Sequence, residues 1–321
     1  MLSLPAKMVA VLTPKRRWFQ FRLKTVLIMT AAMCLVLAFV VVPVHRAYRQ
    51  NRAAALVDAH AGRVVWDFEE AGGNYAPGPA WVKWLTNNEH FFAQVVGVET
   101  EPRMENAALT MDEMLSCLRE FPDLRRLVLL NAGVETTGVE WLRHPERLES
   151  LSLQGTGVSD ATTAPLARLL GLKELNIRFT DVGDAGIAHF GQLAALEALI
   201  LRDTQVTDQG VTYLKELTNL AVLDLGNTEV TVAGLEVLDD LSRLRWLNLC
   251  GLHINDEDLV RLPSWPQLET LYLSYTNITD RGVAHLTRFG NLHELNIVGT
   301  SVTSAGITKI EKAMPDCAIT K

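Results

Sequence analysis

Leucine returns in this chain every 24 residues without drift: Leu124, Leu148, Leu172, Leu196, Leu220, Leu244, Leu268 and Leu292 form one column. Three residues on, Leu127, Leu151, Leu175, Leu199, Leu223, Leu247, Leu271 and Leu295 form a second, and two further on Leu or Ile fills a third from Leu129 to Ile297. A period held over eight units excludes most folds, because each unit is one small supersecondary piece whose apolar face only the next unit can cover. Within a unit, a spacing such as Leu220-x-x-Leu223-x-Leu225 puts the last two leucines on one face of a short strand and turns the intervening residues the other way.

After the strand stands Thr, at Thr156, Thr180, Thr204, Thr228, Thr276 and Thr300, and an aliphatic follows two residues later from Val134 to Val302. A hydroxyl at such a turn bonds backbone groups that have lost their ladder partner. Next come Asp160, Asp184, Asp208, Asp256 and Asp280, in most units followed two residues later by Gly and then by an aliphatic pair such as Val211 and Leu214. Asp ahead of an apolar i, i+3 pattern predicts a helix N-cap within its own unit. Each unit therefore predicts strand, turn, short helix and return.

The pattern L-x-x-L-x-L-x-x-T-x-[VI]-T-D-x-G-[VIL]-x-x-L, carried by residues 124–315 as eight units, resembles a leucine-rich repeat. It is similar to the 24-residue type of membrane-anchored bacterial repeat proteins, and more loosely to ribonuclease-inhibitor-like and F-box-type repeats, with Thr where Asn or Cys is more usual at the turn. The resemblance implies an α/β solenoid, a horseshoe with a parallel sheet on the concave side and helices on the convex side. The unit at 244–267 departs most: Leu252 replaces Thr, Asp258 replaces Gly, and Pro263 and Trp265 interrupt the return.

A solenoid exposes apolar core at its ends unless capped. Residues 81–123 are expected to form the N-terminal cap, with a strand at Phe91–Thr100 and an amphipathic helix at Met111–Glu120, while 316–321 close the other end with a strand near Cys317–Ile319. Trp81 and Trp84 share a helical face and are expected to pack under the cap. In the juxtamembrane region 45–80, Arg46–Ala61 predicts a helix, Val64–Glu69 a strand and "AGGNYAPGPA" a loop.

The formal charge of −7 hides an asymmetry. Residues 1–24 hold six cations and no acid, leaving 24 cations against 37 acids in the remainder. An acidic body argues against nucleic acid as a partner, since phosphates need clustered Lys and Arg. Residues 25–44, TVLIMTAAMCLVLAFVVVPV, carry no charge and are long enough to cross a hydrocarbon layer of about 30 Å as a transmembrane helix. A cleaved signal peptide would have an apolar region of about 7–15 residues and a small-residue cleavage site, which Val44-His45-Arg46-Ala47 does not offer. The cations before the span outnumber Arg46, Arg49 and Arg52 after it, which predicts residues 1–24 as a cytoplasmic stub and an extracytoplasmic repeat domain.

The chain offers no catalytic or metal motif: no HExxH, no paired His spacing, no CxxC, no P-loop and no GxGxxG after a strand. Cys117, Cys250 and Cys317 give no disulfide framework, and no cofactor is implied. What remains is surface. The outward strand positions bring Trp246, Tyr272 and Tyr275 onto adjacent units beside Asn248, Asp224, Arg202, Asp203 and Arg178, the composition of an interface hot spot. The expectation is a non-catalytic, membrane-tethered module that binds a protein, or else a glycan, on its concave face. The rivals are a structural envelope component that stacks without a specific ligand, and F-box-like substrate recruitment, for which no adaptor-binding helical module is recognisable ahead of the repeats.

Overall fold

Three residues of strand per 24-residue coil suffice when each strand is hydrogen-bonded on both edges by its copies. The computed structural model describes residues 16–36, 42–59, 62–70, 95–100, 116–131 and 144–321. It forms one 11-stranded sheet whose spatial order is the chain order. Strand β1 (Gly62–Trp66) runs antiparallel to β2 (Val95–Thr100). From β2 onward the sheet is parallel: β3 (Arg126–Leu129), β4 (Ser150–Ser152), β5 (Glu174–Asn176), β6 (Ala198–Ile200), β7 (Val222–Asp224), β8 (Trp246–Asn248), β9 (Thr270–Tyr272), β10 (Glu294–Asn296) and β11 (Ala318–Thr320). Among the parallel strands the register never slips, the one shift in the sheet lying between Val65 and Trp66 of β1; Leu199 faces Leu223, Leu223 faces Leu247, and Leu295 faces Ile319. A one-residue shift would turn every leucine out of the core.

Behind the sheet each coil returns through a short helix, as at Asp184–Phe190, Asp208–Val211 and Ser304–Ala313. Leu196, Leu199, Leu201, Leu214, Leu217, Leu220, Leu223 and Leu225 are wholly buried, each stabilising by about 1.5–3 kcal/mol relative to exposure. The threonine column behaves as expected, since Thr156, Thr180, Thr204, Thr228, Thr276 and Thr300 donate from Oγ1 to the carbonyl three residues back.

The aspartate column does not. Each carboxylate caps the helix of the following coil rather than its own. Asp160 accepts from Gly183 N and Gly186 N at 2.7 and 2.9 Å, so a helix whose N-cap residue has no side chain is capped from its neighbour. Asp184, Asp208, Asp256 and Asp280 likewise accept from the backbone N–H and the hydroxyl of Thr207, Thr231, Thr279 and Thr303. The glycines two residues further into those helices stand against these carboxylates, and a Cβ on Gly186, Gly210, Gly234, Gly282 or Gly306 would collide with the Asp of the preceding coil.

The departure at 258 follows from the same geometry. The coil before Asp258 has Val232 where its neighbours have Asp, so nothing from outside meets the Asn255 N–H and no carboxylate fills the space beside position 258. Asp258 reaches back and accepts from Asn255 N at 3.0 Å, while Asn255 Oδ1 accepts from Asp258 N, a capping box closed within the coil. Thr162 does the same for Ser159 N at 3.0 Å. Trp265 does not interrupt the return. It is buried in the core column of Leu217, Leu241 and Phe289, donates Nε1 to the Leu238 carbonyl at 3.0 Å and stacks on Phe289.

At the N-terminal end, helix α2 (Val42–Ala59) buries Ala47, Ala53, Ala54 and Val57, the last three within the same core as Val64, Trp66, Val95, Val98, Leu118 and Phe121. An Arg49–Glu120 ion pair ties it to the first coil. The segment expected as juxtamembrane thus contributes directly to the cap. The expected strand at Val64–Glu69 is β1 at Gly62–Trp66, followed by a helical turn at Asp67–Glu70. Of the expected cap helix, the described part is Ser116–Glu120, ending in a 3-10 turn. Residues 91–94 and 111–115, with Trp81 and Trp84, lie outside the described residues. The expected span 25–44 is not one helix here: α1 covers Arg16–Val36, α2 begins at Val42, and residues 37–41 lie outside the described ones. Among the described residues no helix is long and apolar enough to cross a membrane.

Candidate functional site on the outer sheet face

Strand alternation sends one side chain of every coil into the core and leaves its two neighbours on the outer face, so that face is a grid of rows running across the coils. In the first row, small apolar residues at Ala198 and Val222 lead to Trp246, which meets Tyr272 of the next coil edge-on, ring centroids 5.3 Å apart at 67°, the arrangement aromatic quadrupoles favour. Tyr272 donates its hydroxyl to Glu294 Oε1 at 2.8 Å. That bond, with some burial, raises the phenol above its ordinary range. Glu294 was not singled out from the sequence, although its place in the Trp246 row, one coil past Tyr272, is the signal that finds it.

The second row is less available than alternation implies. Asp224 and Asn248 are 6% and 3% exposed. Asp224 Oδ1 accepts from Gly226 N and Asn248 Oδ1 from Cys250 N, both at 2.9 Å, and Asn176 and Asn296 make the same i to i+2 bond in their own coils. These side chains fold onto their own backbone where the strand ends. Asp224 is the acidic member of an amide column, and desolvation pushes its carboxyl above the ordinary range.

The third row and the turn edge carry the charge. Arg202 donates from Nε to Asp203 Oδ2 at 3.1 Å, and Asp203 Oδ1 accepts from Asn227 Nδ2. Arg178 lies over the Phe179 ring, 5.1 Å from its centroid; its Nε is buried without a hydrogen-bond partner, as is Ser152 Oγ one coil earlier. The turn edge is left-handed in every described coil: Asn131, Gly155, Phe179, Asp203, Asn227, Gly251, Tyr275 and Gly299 all have φ between 47° and 73°. Asn, Asp and Gly accept that conformation readily. Phe179 and Tyr275 do not, yet these two residues are 49% and 70% exposed.

The face therefore pairs Trp246 with Tyr272, leaves Tyr275 at the turn edge of the same coil over Gly299, sets Arg178, Arg202 and Asp203 a few strands away, and withdraws Asp224 and Asn248 into backbone support. Among the described residues no group of three or more His, Cys, Asp or Glu side chains could hold a metal ion. No disulfide joins Cys34, Cys117, Cys250 or Cys317. Rings, paired guanidinia and hydroxyls on a rigid sheet can grip a surface; no nucleophile with a supporting base stands among them.

A family model described as Leucine Rich repeat matches residues 172–190 and 266–286. No curated protein matches the chain. Among solved structures, an internalin (InlF) of Listeria monocytogenes is 22% identical with a TM-score of 0.52, the match covering 64% of this chain and 56% of the internalin. The chain thus spans little more than half of that protein's length. The mouse RP105/MD-1 complex matches at 21% identity over 64% of this chain and 39% of that one, with a TM-score of 0.48. Internalin C2 of L. monocytogenes matches at 22% identity over 55% of this chain and 82% of that one, with a TM-score of 0.41. The 24-residue register, the in-order parallel sheet and the internalin likeness agree: the chain folds as a leucine-rich repeat solenoid.

Proposed function

We propose that this chain is a non-catalytic protein-binding module that takes its partner on the outer, concave face of the sheet, centred on Trp246, Tyr272 and Tyr275, and that residues 25–44 tether it to a membrane with the repeats on the extracytoplasmic side. The observation that carries the binding proposal is Tyr275. The residue is 70% exposed on a left-handed backbone, which costs a non-glycine residue on the order of 1–3 kcal/mol, three residues past the tyrosine of the edge-to-face Trp–Tyr pair. Its ring lies over Gly299 of the next coil and is otherwise open to water, where a partner can cover it. The tether is supported by the uncharged run 25–44, the cations ahead of it, and the exposure of Val26, Leu27, Ile28, Met29 and Met33 on α1.

Affinity capture with the full chain, comparing the wild type with Trp246→Ala and Tyr275→Ala, tests the binding. A partner retained by the wild type and weakened about 30-fold or more by either substitution, as for a hot spot of about 2 kcal/mol, is the expected result. Self-association indifferent to both substitutions would favour a structural stacking role instead. For the tether, the chain is expected to stay with membranes through alkaline extraction and to be released when residues 25–44 are deleted.

A further inference from the structure

We propose that the partner segment seated on this face is acidic: a carboxylate of an extended peptide bridges Arg178 and Arg202 while an apolar side chain about five or six residues along packs on Trp246. This rests on the sheet-face binding set out above and adds the partner's chemistry to it.

Arg178 carries the case. Its guanidinium makes no ion pair or side-chain hydrogen bond among the described residues, and its Nε–H is buried and unpartnered. A buried donor left in that state costs about 1–3 kcal/mol, and a guanidinium fork is shaped for a carboxylate. Ser152 Oγ, another buried polar atom without a partner, sits one coil earlier on the same face. Arg202, on the adjoining coil, is held only through Nε by its neighbour Asp203 and keeps 35% of its side chain exposed. Two guanidinia in one row on adjacent strands repel. Asp224 attracts both, but it is buried and bonded to its own backbone, and desolvation outweighs the two arginines at its carboxyl, so their charge is only partly met within the chain. The pair is cationic on a body otherwise rich in acids, so it is a local and specific feature.

Spacing selects a peptide. Parallel strands lie ~4.8 Å apart and rise ~3.3 Å per residue, so Arg202 and Arg178, on the second and third coils before Trp246 and four residues further along the strand direction, stand roughly 16 and 19 Å from it, about five and six residues of extended chain. Between them the face is low, lined by Ala198, Ile200, Val222 and Gly226, with the Arg202 stem lying across Gly226. A segment crossing the strands meets charge at one end and rings at the other.

Selection of random linear displayed peptides on the full-length chain in detergent tests this. Enriched peptides are expected to carry Asp or Glu about five or six places from Trp, Phe or Leu. For a synthetic enriched peptide, changing its acid to the amide, or Arg178→Gln in the protein, should each weaken binding about 10-fold or more, with the two changes together adding little. The peptide-side change needs no protein variant, so a misfolded mutant cannot imitate it. Peptides that bind with no acidic residue and are lost on Trp246→Ala would overturn the acidic assignment while leaving the face as a binding site. Peptides indifferent to both Trp246→Ala and Arg178→Gln would remove both proposals. Dextran sulfate binding at the arginines with no peptide enriched would put a sulfated glycan in the peptide's place and overturn the inference.

Discussion

Asp184 holds two hydrogen bonds that belong to the next coil, from Thr207 N at 2.8 Å and Thr207 Oγ1 at 2.6 Å, and it also decides what can stand at position 210. A Cβ there would collide with the Asp184 carboxylate, so Gly210→Ala should destabilise the protein by about 1–3 kcal/mol through overpacking. In an Asp184→Ala background only the Val206 methyl, 3.1 Å from that Cβ, still crowds it, and the same change should cost at least about 1 kcal/mol less than in the wild type. Denaturant midpoints for the four members of this cycle check the relief; additive costs would mean the carboxylate is not what excludes the side chain. Asp224 gives a second test. Its folded carboxyl is raised by desolvation, so its ionised form opposes folding above that raised value and the penalty disappears as pH falls below the ordinary carboxylate range. Asp224→Asn keeps the acceptor for Gly226 N–H, as Asn176, Asn248 and Asn296 do in their coils. It should therefore stabilise at pH 7 and make no difference near pH 3, as read from unfolding at the two pH values.

At the level of the element, every described repeat helix from Asp160–Thr163 to Ser304–Ala313 has the same need at its start, an acceptor for a backbone amide, met in two ways. Asp258→Gly imitates the common coil but orphans Asn255 N–H, because Val232 cannot replace the lost acceptor; it should cost about 1–3 kcal/mol and speed hydrogen exchange at Asn255. Adding Val232→Asp to it should recover much of that loss by installing the cross-coil bond. Much of this design is legible in the period itself. The leucine columns fix register and core, and the threonine column its turn bond. What a single repeat cannot disclose is whose amide a carboxylate meets, since Asp184 is as near in sequence to its own helix as it is in space to the next. For the same reason Asp224 and Asn248 read as surface: alternation assigns a face, and the bond each makes to the amide two residues on is invisible to it. Trp265 looked like an interruption because a bulky ring breaks the leucine pattern, although the core column accepts it. Helix α2 was legible as a helix, but its buried face is mostly alanine, too weakly apolar to announce that it packs on the sheet.

Across the whole molecule, stability accumulates coil by coil, each coil contacting only its neighbours, so the two ends govern how the stack opens. The C-terminal end closes with β11 and Met314 and Cys317, both buried. The N-terminal end relies on α2 over β1 and β2, with Val57 at 0% exposure. Val57→Asp puts an unpaired charge into that contact and should cost about 3 kcal/mol or more, but only at the end it touches. The amides of Val95–Thr100 are expected to lose protection from hydrogen exchange while those of Leu199, Leu223 and Leu247 keep theirs, because loss of a terminal interface leaves the interior interfaces intact. Equal loss at both places would mean the stack unfolds as a single unit and the nearest-neighbour picture fails. The outcome bears on the tether as well. Helix α2 begins at Val42, inside the run 25–44 proposed to hold the chain at a membrane, so cap and tether share residues 42–44. If the cap opens alone, a chain so tethered would keep its binding face folded while gaining reach, and Val57→Asp should leave capture by Trp246 and Tyr275 undiminished.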